Sequence, residues 1–175
     1  MAYAVIRTDL MSGTKQPADL VSLRFYDASG NKAEVENGVI VKLQGYEDGE
    51  REVMKAVAAS AGDDLNDCAI VAAPEVMYDE RKKNLDEFIN EAGKAVRGYI
   101  PRSRNVFSVT KEGFVGGTVP AKGAEVGIGT GGKIDAAAGK GLGVCVDVEV
   151  VGRYTYYAIK IGKTESTAAS ASVGG

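Results

Sequence analysis

The sequence predicts a mainly β protein: an antiparallel barrel or sandwich of short strands, with one short helix near 84–92, an extended N-terminal arm and a C-terminal tail. Three observations predict it. Apolar and polar residues alternate over short segments separated by turn clusters. Glycine, 23 of 175 residues, gathers in 113–143 as GFVGG, GIGTGGK and GKGLG, a composition that suits turns better than helices. The last apolar stretch is a hairpin of alternating Val and Tyr between residues 144 and 161.

Each element follows in order. Residues 1–19 hold neither period for a useful length and read as the extended arm. Leu20 to Tyr26 alternates, with Val21, Leu23 and Phe25 on one face, and ends at the turn cluster Asp27–Asn31. Val39 to Leu43, Glu52 to Val57 and Cys68 to Ala72 give three more strands, the last two separated by a polar, acidic loop. Leu85, Phe88, Ile89 and Ala92 are spaced as one helical stripe. Asn84 can cap that helix, Asp86 and Glu87 suit its first turn, and Gly93 suits its end. Val96 to Ile100 and Val106 to Thr110 are strands around Pro101. In the final hairpin Val144, Val146, Val148 and Val150 share one face, and Tyr157, Ile159 and Ile161 share one face of the return strand. The division expected is an arm (1–19), a β-rich core (20–162) and a low-complexity tail (163–175). A boundary near residue 111 would leave two modules too small to be stable alone, which favours one continuous core.

Composition removes several kinds of chemistry. With no histidine, Ser-His-Asp and Cys-His catalysis and His-ligated metals are excluded within the chain. Lys and Arg number 21 against 24 Asp and Glu, and this weak negative charge argues against a nucleic-acid partner. The first residues lack the basic and apolar regions of a secretory leader, and no apolar run reaches the roughly 20 residues that span a bilayer, so no membrane partner is expected. Cys68 and Cys145 sit in separate apolar runs and read as two reduced, buried thiols.

The remaining motifs read as structure. GIGTGGK (127–133) formally fits both GxGxxG and GxxxxGK, yet Ile134 stands where a P-loop needs Ser or Thr, and the Gly-broken sequence beyond cannot hold a helix. A β-turn loop is expected there. Asp63, Asp64 and Asp67 lack calcium-loop spacing and read as a solvated loop. Glu75, Asp79, Glu80, Asp86 and Glu87 could supply a carboxylate pair for glycoside hydrolysis, but such a cleft is usually lined by aromatic residues, and Trp is absent. No enzyme activity, cofactor or metal is expected. Arg97, Arg102 and Arg104 flank Tyr99, and Arg153 adjoins Tyr154 and Tyr156; Tyr and Arg in such groups fit a protein interface. Together with Tyr3, Ile6, Arg7, Leu10 and Met11 of the arm, these are the candidate interface residues.

The segment PEVMYDERKKNLDEFINEAGKAVRGY (74–99), followed by VFSVT (106–110) and VGRYTYYAI (151–159), resembles small structural proteins of tailed bacteriophages and prophages. The order of apolar strand, Gly-rich turns, GVCVDV strand and final aromatic strand is similar to that of β-rich capsid decoration proteins. The resemblance implies a virion component made in the host cytoplasm. It would bind the major capsid protein lattice from outside as a homo-oligomer, a trimer being favoured, and reinforce the shell. Another virion part (a head fibre base, head–tail connector or tail protein) or a glycan-binding attachment module is the alternative. The resemblance carries no catalytic residue.

Overall fold

A computed structural model describes residues 2–8, 20–77, 84–137 and 141–162. Among the described residues eleven strands form two layers, as expected for a mainly β chain. They are β1 (Ile6–Arg7), β2 (Leu20–Tyr26), β3 (Ile40–Tyr46), β4 (Val53–Ala58), β5 (Cys68–Val71), β6 (Val96–Tyr99), β7 (Val106–Val109), β8 (Glu125–Ile128), β9 (Ile134–Asp135), β10 (Gly143–Val151) and β11 (Tyr154–Ile161). β2 to β6 close a barrel in the order β2-β4-β3-β5-β6. The other six form a curled antiparallel sheet in the order β1-β7-β11-β10-β8-β9. Among the described residues no helix is long and apolar enough to cross a membrane.

The five-stranded barrel is narrow, and its filling is accordingly small. Leu23, Val41, Ala56, Ala69, Val71 and Val96 form its interior cluster. Gly98 completes it, because a Cβ there would come within 2.7 Å of Leu23 and 3.0 Å of Ala69. The alternate residues Ile40, Cys68, Ile70 and Tyr99 point outward and join Phe107, Val109, Ile134, Cys145 and Ile159 of the sheet in a second buried cluster. β5 is therefore buried on both faces, which explains why CAIV has no polar alternation. One interior fills the barrel and the other glues it to the sheet.

Three expectations are corrected. The first is the helix near 84–92: only a single 3-10 turn forms, Leu85–Glu87. Phe88 is already extended, with φ −79° and ψ 134°. An α-helix would bond the Asn90 amide to the Asp86 carbonyl. Instead the Asn90 amide donates to the Val35 carbonyl (3.1 Å), and the Asp86 carbonyl accepts from the Tyr3 amide (3.0 Å). Side chains complete the capture. Asn90 Nδ2 donates to the Val35 carbonyl and to Asn37 Oδ1, while Asn37 exchanges two hydrogen bonds with the backbone of Ala73 (2.9 and 3.0 Å). The second concerns sheet direction: β2 and β4 pair in parallel within an otherwise antiparallel barrel. The third concerns the arm. Val5 and Ile6 are buried, β1 pairs with β7, and the Val5 amide donates to Thr110 Oγ1 at 3.1 Å, so this end of the chain is part of the sheet. The tail, 163–175, and residues 9–19 of the arm lie outside the described residues.

GIGTGGK is a turn, as expected. It links β8 to β9 through a 3-10 turn at Thr130–Gly132. Gly132 has φ +73°, and a Cβ on it would lie 2.1 Å from the Ile40 carbonyl oxygen. Only glycine lets this loop seat against β3. Lys133 Nζ is committed to Glu36 (3.2 Å) and the Glu112 carbonyl (3.0 Å).

Candidate interaction surface

The candidate residues divide into a group the fold assembles and a group it scatters. On the face of β11 away from the core, Tyr154 and Tyr156 stand 6.2 Å apart, ring to ring. The Arg153 guanidinium lies 4.9 Å from the centre of the Tyr154 ring, and that of Arg7 lies 5.4 Å from the centre of Tyr156. Arg7 reaches this face because β1 and β11 flank β7, with Arg7 opposite Ser108 and Ser108 opposite Ala158. Two carboxylates fix the row. Glu149 on β10, opposite Tyr156, accepts from Arg7 at 2.9 Å. Asp86 accepts from Arg153 and, at 3.0 Å, from the Tyr154 hydroxyl. The result is Arg153–Tyr154–Tyr156–Arg7, two cation–π contacts held from both ends by ion pairs. Exposed pairs of this kind contribute little stability. Their effect is to hold long side chains in one geometry, which lowers the entropy cost of any contact made there.

Neither acid is among the interface residues that the sequence suggests. Asp86 looked like a first-turn helical acid, and Glu149 like the polar phase of a strand. Charge sign was the available signal: each is an acid on a segment whose counterpart carries an arginine.

The other candidates do different work. Tyr99 is buried in the seam between barrel and sheet, Ile6 is core, and Tyr156 is only 5% exposed beneath Arg7. Within the chain these three side chains are packed, and Tyr156 supports the row from beneath Arg7. Arg97 is exposed on β6 beside a cleft of about 610 Å³ that Leu20, Val76, Phe88 and Ile89 also line. Arg102 and Arg104 are exposed in the turn before β7, where Arg104 has φ +75° and its amide donates to the Ile161 carbonyl. Tyr3 is half-buried next to the 3-10 turn. Leu10 and Met11 lie outside the described residues.

The acids read as alternatives for chemistry, where described, make structural contacts or are buried. Glu87 caps the Asn84 amide (3.0 Å), Asp86 holds the row just described, and burial raises the Glu75 carboxyl above its ordinary range. Asp79 and Glu80 lie outside the described residues. Asp63 accepts from Lys42 at 2.5 Å, and Asp64 caps the turn Leu65–Asp67. No group of three metal-ligating side chains occurs among the described residues. Both cysteines are free and buried, and burial pushes the Cys68 thiol up to about 11.

One further feature belongs to the same hairpin. β10 and β11 pair along their whole lengths, but β8 pairs with β10 only at Gly143 and Val144. The hairpin therefore projects beyond its neighbours. A bulge between Cys145 and Asp147 reverses the alternation, placing Val148 opposite Tyr157 and Val150 opposite Thr155. Val148, Val150 and Val151 are 40%, 74% and 49% exposed. The chain matches no protein-family model, no curated protein and no solved structure.

Proposed function

We propose that the protein is a bacteriophage capsid decoration protein, binding the outer surface of the major capsid protein lattice as a homo-oligomer and bracing the shell. The observation that carries this reading is the Arg153–Tyr154–Tyr156–Arg7 row. Arginine and tyrosine are the residues that most often anchor protein interfaces, and here they are pre-ordered on a rigid two-layer β scaffold. Arg153 and Tyr154 present the accessible end of the row and would meet the lattice first.

The test is co-sedimentation of the purified protein with empty phage heads, followed by electron microscopy of the decorated particles. The expected result is added density over the whole head, with Arg153→Glu binding about tenfold more weakly. Density at one vertex or on the tail would assign the protein to another virion part. Absence of binding to heads would overturn the reading.

A further inference from the structure

The outer end of β10 carries Val150, at 74% the most exposed large hydrophobic side chain among the described residues. Beyond Cys145, whose amide and carbonyl bond to Ala124 and Gly123, no strand pairs with that edge among the described residues. Asp147 at its base is closed off by Lys122 at 2.8 Å. From Val148 to Val151 there is no Pro and no Lys, the bulge lies before this stretch, and its one charged residue, Glu149, is paired with Arg7. Three exposed β-branched residues there form a strand ready to be extended.

We infer that this edge pairs antiparallel with the same edge of a second copy of the chain, on a two-fold axis through Glu149. The sequence is self-complementary about that residue. Val148 falls opposite the partner's Val150 and Val150 opposite the partner's Val148, so the apolar residues meet on one face. Asp147 falls opposite the partner's Val151. Only Glu149 meets its own kind, and each Glu149 already holds an Arg7 at 2.9 Å. The axis therefore brings two Arg–Glu pairs into one alternating cluster instead of opposing two bare carboxylates. A strand of a different protein would need to reproduce both the apolar pairing and the charge compensation, whereas a second copy supplies them by symmetry. Five residues of pairing cover about 17 Å of edge, so the association is weak and strengthens when copies are concentrated. The inference bears on the homo-oligomer of the capsid reading and shares Glu149 and Arg7 with the row, but the pairing is carried by the β10 backbone with Val148 and Val150, which lie outside the row.

The test uses the full chain. Sedimentation across a dilution series is expected to show a monomer–dimer equilibrium, and Val150→Lys to weaken it about a hundredfold while leaving the circular dichroism spectrum unchanged. Glu149→Cys places two thiols directly opposite across the axis, with Cα atoms about 5 Å apart and within disulfide reach. Mild oxidation should trap that variant as a dimer, and Lys122→Cys should stay monomeric. The native thiols are buried and do not compete. A wild-type chain that stays monomeric and leaves Glu149→Cys untrapped would overturn the inference. So would an oligomer indifferent to Val150→Lys. A Val150→Lys protein that binds heads but no longer self-associates supports the inference and shows that head binding does not require this pairing.

Discussion

Tyr26 and Glu47 show how one contact can set stability at both ends of the pH scale. The Tyr26 hydroxyl donates to Glu47 Oε1 at 2.5 Å, and Arg24 lies 3.1 Å from the same oxygen. The Tyr26 hydrogen bond, aided by Arg24, holds the Glu47 carboxyl below its ordinary range, and Glu47 in turn raises the Tyr26 phenol. The carboxylate contribution is complete above the unfolded value of about 4.3 and disappears as pH falls through the lower folded value. The phenol contribution is complete below about 10 and disappears as pH rises through the raised folded value. Tyr26→Phe removes both, so urea midpoints measured from acid to alkaline pH should lose the difference between wild type and variant at either extreme. A wild-type advantage that persisted in strong acid would assign the effect to packing. The second oxygen, Oε2, is buried without a hydrogen-bond partner among the described residues, so this carboxylate is strongly dependent on the contacts it has.

The segment 84–92 and the strand β10 show where element-scale reading succeeds and fails. Leu85, Phe88, Ile89 and Ala92 have helical spacing, yet Leu85 and Ala92 are exposed, the backbone is taken by Val35 and Tyr3, and the Asn90 side chain donates to Asn37. Those partners lie 50 residues or more away in sequence, where no local pattern can reveal them. Asn37→Ala tests the capture. It leaves the Ala73 amide without its acceptor and takes from the buried Asn90 side chain one of its two bonds, and should lower the unfolding free energy by about 2 kcal/mol in urea titrations. Asn37→Asp keeps the acceptor and should fall between. β10 is the opposite case: its alternation located the hairpin correctly, but the bulge after Cys145 moves Val148 and Val150 to the face that Cys145 occupies. A bulge leaves the residue types unchanged and is silent in the period. GIGTGGK, by contrast, was legible as a turn because its glycines are required by local geometry at Gly132.

At the scale of the molecule, the β class and the hairpin were readable from alternation, but the joining of the two layers was not. β1 is two residues long, and nothing in Ile6–Arg7 by itself announces a strand. Its partner β7 supplies the evidence, and Val5 and Ile6 are buried by it. Deleting residues 1–8 should therefore cost about 3 kcal/mol and broaden thermal unfolding, instead of leaving an untouched core. Differential scanning calorimetry of the truncated chain reads this directly. The parallel β2–β4 pair was equally hidden, since it depends on β3 passing to the far side of β4 before the chain returns along β5. These closures have a kinetic consequence. The Val5–Thr110 bond joins residues 105 apart, and the barrel shuts only when β6 reaches back to β2. A newly made chain must hold its early strands open until the later ones arrive, a high-contact-order topology that folds in milliseconds to seconds or slower. During that interval the β2 edge waits for its partner, so efficient production of the protein depends on how crowded with other unfinished copies the chain is while it waits.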